Sequence, residues 1–356
     1  MLTGLLIAMV TNDRTLKTGA MGLAMLALLA FQAFSGIAAF VFALRANKIE
    51  ASSSTTVAAV LGALLVAMTP VVKLVTMVAM ATHHGSGGAW GRPLRVRGKQ
   101  LHPTLTAGSD WTRGARPDPS GLDEATRRAL EALWLHDAQK EHASVPAFSR
   151  VSWLLAAAGA PAELLEGAHR AALEEIEHTR LCFALAAGYS GRSFSVEPMP
   201  DLVVGGMDVR GDPRVLLAVE SLKDGCLLED FNADVAAACA LVCSEPVTRG
   251  VLELIAREER SHADFSWAVV EFLLQRDRQV VDGPLRRALT ELEAYPRPTA
   301  VSRAALKLVA KADVNTLRAH GRLGDDEWAT LWDLRLGATR TRMKACLDPA
   351  AARHAA

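Results

Sequence analysis

The stretch EEIEHTRLCF, residues 174–183, and its echo REERSHADFS, residues 257–266, each place a glutamate three positions before a histidine within a helix-forming run. Glu-x-x-His puts both side chains on one helix face, one turn apart. The motif alone is weak, and the chain holds three copies: Glu166 with His169, Glu175 with His178, and Glu259 with His262. Hairpin geometry chooses among them, because residues equidistant from an antiparallel turn face each other. Glu141 and Glu175 have their midpoint at residue 158, beside the Gly159-Ala160-Pro161 break. Glu229 and Glu259 have theirs at residue 244, inside Ser244-Glu245-Pro246. Each carboxylate then lies roughly 25 Å from its turn, at 1.5 Å of rise per residue. Two hairpins each present a glutamate opposite a Glu-x-x-His. Glu166 has no counterpart and points away from Glu175, so it is read as surface.

The neighbouring residues agree. Glu141 shares a helical stripe with Trp134, Ala138, Val145, Phe148, Ser152 and Leu155, and Glu175 and His178 share one with Ala168, Ala171, Cys182 and Ala186. Glu229 sits with Leu222, Cys226, Ala233 and Ala236, while Glu259 and His262 lie with Leu252, Ile255, Ser266, Val269 and Leu273. Glu220 is half a turn out of phase with Glu229 and is set aside. Four carboxylates and two imidazoles thus project into an apolar interior, and no set of Lys or Arg lies on these stripes to pair with them. Unpartnered buried carboxylates are costly. Either a buried polar network or a metal must satisfy them, and four Glu with two His is what a dinuclear centre in a helix bundle requires. Oxygen donors with two imidazoles suit iron or manganese better than a thiolate-loving metal.

The rest of the chain sets the frame. Its 356 residues carry 39 basic and 39 acidic side chains, and no basic run is dense enough for a nucleic-acid groove. Alanine and leucine dominate, so an all-α fold is expected. The cysteines form no CxxC pair and read as reduced buried thiols. Helices are expected near 122–158, 161–188, 213–243 and 246–275, with smaller ones near 284–293, 299–319 and 325–347. The long connection 188–213 joins the two hairpins, which is the topology of a four-helix bundle with a crossover. Residues 122–280 would form this bundle and 281–350 a C-terminal helical extension. Residues 83–121, rich in Gly and Pro, read as a linker with a short strand around residues 94–96. Trp328 and Trp332, one turn apart, read as core packing.

The first 82 residues differ in kind. Residues 18–44 are 27 positions without a charge, and residues 56–81 are interrupted only by Pro70 and Lys73. Both are long enough to span a bilayer, and Lys73 can snorkel. A cleaved signal peptide fits poorly, because the first apolar run is too long and starts too late. Arg14 and Lys17 before the first run, and Arg92, Arg95, Arg97 and Lys99 after the second, place both ends in the cytoplasm by the positive-inside rule. The expectation is a multi-pass cell-membrane protein with a cytoplasmic helical domain.

The stretches EHASVPAFSRVSWLLAAAGAP, AALEEIEHTRLCFALAAGYSGR, DGCLLEDFNADVAAACA and LIAREERSHADFSWAVVEF resemble the ferritin-like di-iron carboxylate superfamily. More closely, they resemble a bacterial group described only as ferritin-like domain proteins. The likeness runs over about residues 90–345, including AHGRLGDDE near the end. It implies a ferritin-like bundle holding two iron ions, with manganese as the alternative. Carried over position by position, it makes Glu141 and Glu229 terminal ligands, Glu175 and Glu259 bridging carboxylates, and His178 and His262 ligands to one metal each. It also makes Glu174 and Glu258 candidates to orient the histidines across the bundle, with Asp137 a further candidate of that kind.

Among superfamily chemistries, a tyrosyl radical of the ribonucleotide-reductase kind lacks its residue, since Cys182 stands one turn past His178 and the only tyrosines are Tyr189 and Tyr295. A rubrerythrin-like unit lacks its CxxC pairs, and a closed storage shell fits poorly with membrane spans. Oxygen- or peroxide-dependent oxidation at a membrane-tethered centre remains, with dioxygen or peroxide and an electron donor as partners. A non-enzymatic iron-binding, ferroxidase-like or iron-sensing membrane protein is the alternative. Either is compatible with a homodimer.

Overall fold

The computed structural model describes residues 91–96, 99–205, 211–299, 301–302 and 305–348. All belong to the contact unit Gly85–Ala356. The two apolar runs read as membrane spans, 18–44 and 56–81, lie outside the described residues. Among the described residues no helix is long and apolar enough to cross a membrane.

Four long helical segments dominate. Helix α1 (Glu124–Ala157) starts at Asp123, whose carboxylate accepts from the Thr126 N–H and hydroxyl, 2.9 Å each. It ends before Gly159, which takes φ 64°, a conformation that costs glycine no Cβ clash. Helix α2 (Ala162–Ser190) returns antiparallel and packs along α1. The second hairpin begins with α3 (Asp201–Gly205) and α4 (Pro213–Glu220), continues as a π-helical stretch (Ser221–Glu229) and ends as α5 (Asp230–Val242). Its partner α6 (Pro246–Arg276) is capped by Glu245, whose carboxylate accepts from the Val247 and Thr248 N–H groups. The two hairpins join through α2 against α6 and α1 against α4.

The interior is filled by the expected stripes. Trp134, Phe148, Leu155, Leu222, Leu252, Ile255 and Leu273 are fully buried, and only Val145 of the predicted set is half-exposed. Each large apolar side chain removed from water contributes on the order of 1.5–3 kcal/mol, which holds the hairpins together.

The expected linker is more structured than its composition suggests. Strands β1 (Arg95–Val96) and β2 (Lys99–Gln100) form a ribbon, and Leu94 and Val96 pack on Ala143 and Ala147 of α1. Strand β3 (Leu105–Ala107) pairs antiparallel with β4 (Phe194–Val196), which comes from the crossover. Beyond α6 the chain forms α7 (Arg278–Glu291), two short helices α8 (Leu306–Val309) and α9 (Val314–Ala319), and α10 (Asp325–Leu347).

Two sequence expectations are corrected here. The helix expected near 284–293 starts earlier, because α7 begins directly after α6 and runs through Pro284. The single helix expected over 299–319 is broken, because the Asp313 carboxylate accepts from the Thr316 N–H at 2.8 Å and starts a new helix there. Trp328 and Trp332 are buried, edge-on to Phe231, with centroids 5.3 and 5.1 Å away.

Candidate metal centre

Glu141 comes from α1, Glu175 and His178 from α2, Glu229 from the end of the π-helical stretch, and Glu259 and His262 from α6. All six are buried, none more than 1% exposed. They form two overlapping groups. Glu141, Glu175, His178 and Glu259 bring one ligand atom each within 4.8 Å of one another, and so do Glu175, Glu229, Glu259 and His262. Glu175 and Glu259 belong to both.

The inward atoms lack partners. Both carboxylate oxygens of Glu141, Glu175 and Glu229, Oε1 of Glu259, and Nδ1 of His178 and His262 make no hydrogen bond. His178 Nδ1 stands 3.6 Å from Glu141, 3.7 Å from Glu175 and 3.7 Å from Glu259, and His262 Nδ1 stands 3.4 Å from Glu175. The three His178 separations are too long for hydrogen bonds, and His262 Nδ1 makes none either. These separations suit donors that share a cation, since atoms each about 2.0–2.2 Å from one ion lie roughly 3–4 Å apart. Buried polar atoms without partners are rare enough to demand an explanation, and here they converge on one place.

The outward atoms are satisfied. His178 Nε2 donates to Glu258 and His262 Nε2 donates to Glu174, each at 2.8 Å. In a neutral imidazole this places the proton on Nε2 and turns the Nδ1 lone pair inward, the arrangement that outer carboxylates impose on metal-binding histidines. Both bonds cross from one hairpin to the other.

Electrostatics run the same way. Burial pushes the Glu141 carboxyl well above the carboxylate range, helped by neighbouring Glu175. Burial does the same to Glu259, with Glu229 adding to it, and burial raises Glu229. Glu175 goes the other way: burial alone would raise it, but its contacts with His178, His262 and Glu141 outweigh that. Burial would lower both histidines, yet the carboxylates around them win. His178 is held well above its ordinary value by Glu141, Glu175 and Glu258, and His262 at about 9 by Glu174 and Glu175. Glu141, Glu229 and Glu259 thus resist ionisation, and cations between them would reverse that resistance.

Asp137, expected to help orient a histidine, does something else. Its Oδ2 accepts from Arg322 at 2.7 Å, and its Oδ1 pairs with Lys140 at 3.1 Å. Arg322 also lies over the Trp134 ring, 3.9 Å from its centroid, so Asp137 is drawn toward the α9–α10 connection. Among the described residues no Lys or Arg pairs with the four central carboxylates. Glu166 is exposed, with His169 bonded to Ser152 at 3.0 Å, and Glu220 pairs with Arg150.

Sequence reasoning missed three contributors. Gly91 and Arg92, taken as linker, are buried against the helices, and Asn232 Nδ2 bonds both Gly91 O and Glu259 Oε2 at 3.4 Å. Nothing in the Gly-Arg-Pro segment signals burial. Asn232 was findable, because it lies one turn from Glu229. Comparison with protein-family models, curated proteins and solved structures finds no match to the chain.

Proposed function

We propose that this chain is a ferritin-like four-helix-bundle protein that binds a dinuclear iron centre, with manganese the alternative, and acts as an oxygen-dependent oxidoreductase. The observation that carries the reading is the split behaviour of the six side chains. Their inward atoms converge without partners while each histidine's outer nitrogen is held by a carboxylate. Glu175 and Glu259 would span the two ions, Glu141 and Glu229 would each complete one end, and His178 and His262 would each bind one ion through Nδ1. Four carboxylates balance two divalent ions. A bound iron pair would supply redox chemistry with dioxygen or peroxide, drawing on an electron donor. The chain's own residues position and insulate. Ala171, Cys182, Ala233 and Ser266 are buried and keep water out, while Glu174 and Glu258, 25% and 21% exposed, hold the Nε2 protons close to solvent. The uncharged runs 18–44 and 56–81 would anchor the protein in the cell membrane.

The test uses the full-length chain, loaded anaerobically with ferrous iron and then exposed to air. Two irons per chain and a new near-ultraviolet absorption band are expected, with both lost in the His178→Ala/His262→Ala variant. Iron in the wild type no higher than in that variant overturns the reading.

A further inference from the structure

Arg92 is a buried cation whose guanidinium makes no ion pair among the described residues, although its charge reaches Glu229 and eases ionisation of that carboxyl. It is 3% exposed, and among the described residues no carboxylate pairs with it. Its Nη1 reaches Ser266 Oγ at 3.4 Å, its Nη2 has no partner, and its guanidinium lies 5.4 Å from the centroid of the Phe148 ring. A desolvated guanidinium with open donors is costly to keep unless something negative meets it.

The surrounding residues hold it beside the candidate centre. Ser144 Oγ donates to Arg92 O at 3.1 Å, and Asn232 Nδ2 donates to Gly91 O. Gly91 takes φ 70°, and a Cβ there would lie 2.2 Å from Ser144 Oγ and 3.2 Å from Glu141 Oε2, so the chain crosses the centre where only glycine fits. Gly225 makes room for the guanidinium itself. A Cβ on it would meet Ser266 Oγ at 2.0 Å and Arg92 Nη1 at 3.0 Å. Ser266 lies one turn past His262, Gly225 one turn before Glu229, and the Phe148 ring packs edge-on to His262 with centroids 5.1 Å apart. Ser221, about one turn before Gly225, has a second buried and unpartnered polar group, its hydroxyl. The layer of Arg92, Phe148, Gly225 and Ser266 therefore sits about one helical turn, ~5 Å, from the Glu229–His262 side of the centre.

We propose that Arg92 receives the carboxylate of an exogenous monocarboxylate, setting the carbons next to that carboxylate against the Glu229–His262 side. The planar fork of arginine matches a carboxylate through two parallel hydrogen bonds. One guanidinium beside the Phe148 ring and close to Cys226 suits a single negative charge on an apolar body better than a phosphate. As a statement about substrate class this rests on the proposed metal centre; as a binding site it does not.

The experiment therefore reads both. Acetate, propionate and benzoate are titrated into the full-length chain, metal-free and cobalt(II)-loaded, with acetamide, benzamide and inorganic phosphate as controls. Thermal midpoint and the cobalt visible bands are followed. The carboxylates raise the midpoint in both forms and shift the cobalt bands, while the amides and phosphate do neither. In R92Q the carboxylate affinity falls at least 10-fold with cobalt stoichiometry unchanged, and R92K, which keeps the charge but loses the fork, falls between. Wild-type affinity in folded R92K and R92Q, or equal binding of phosphate, overturns the proposal, as does absence of carboxylate binding to the wild type. If R92Q does not fold, the R92K comparison decides. Carboxylate stabilisation of a wild type that takes up no cobalt keeps the anion site and removes the metal reading alone.

Discussion

Around Glu141 and His178, buried charges close in: Asp137 pairs with Lys140 and with Arg322 from the α9–α10 connection, and Arg322 stacks on Trp134. Around Glu229 and His262, the helix loosens into π geometry, glycine and serine line the contact, and a lone guanidinium stands open. The two halves carry matching side chains in different company: on one side a guanidinium is paired with buried Asp137, and on the other small residues surround one that makes no ion pair among the described residues. If those side chains hold ions as proposed, the unequal surroundings would distinguish the two sides.

The largest expected effect tests whether the halves are joined. Glu175 and Glu259 belong to both groups, so Glu175→Ala is expected to abolish binding of both ions, whereas Glu141→Ala or Glu229→Ala leaves about one per chain. Metal analysis after anaerobic loading checks this, and equal losses in all three variants would dissolve the distinction between shared and terminal carboxylates. Next comes the paired half. Arg322→Met leaves buried Asp137 with Lys140 as its one partner and an oxygen unmatched, and is expected to cost about 2–4 kcal/mol in denaturant unfolding, with metal content unchanged. In the open half, Gly225→Ala drives a methyl into Ser266 and is expected to cost roughly 1–3 kcal/mol. A neutral result would mean the π-helical stretch can shift to accommodate it.

The smallest effect is one of pH and belongs to the paired side. Burial, with Lys140 nearby, lowers the His136 pKa to about 3 and the His102 pKa to about 4. Both stay neutral in the fold while the unfolded chain takes up protons near 6.5, so stability is present above that value and lost as pH falls. Between pH 7 and 5.5 the loss is roughly 1 kcal/mol for each histidine. His136→Phe should flatten its share of the pH dependence of unfolding.

How much of this was legible depends on what each feature rests on. The positions of Glu141, Glu175, Glu229 and Glu259 follow from spacing to two turns that Gly159, Pro161 and Pro246 announce, and spacing is local information. The cross-hairpin contacts of Glu174 and Glu258 came from resemblance, and the structure places both carboxylates on the opposite histidines. The π-helical stretch was not readable, because Ser221–Glu229 is buried almost all round and a 3.6-residue period has no exposed side to register against. Arg92 and Asp137 failed for a different reason: their roles are set by partners such as Ser266 and Arg322, more than 170 positions away. Asp313, one capping carboxylate, was enough to break an otherwise uniform helical run.

The crossed histidine bonds also order events in time. His178 of the first hairpin is steadied by Glu258 of the second, and His262 of the second by Glu174 of the first. With only one hairpin folded, each imidazole would lack the carboxylate that fixes it and the cluster would be half assembled. If the cluster binds metal as proposed, capture would wait until α2 has docked on α6, and the finished fold, rather than the emerging chain, would choose the ion.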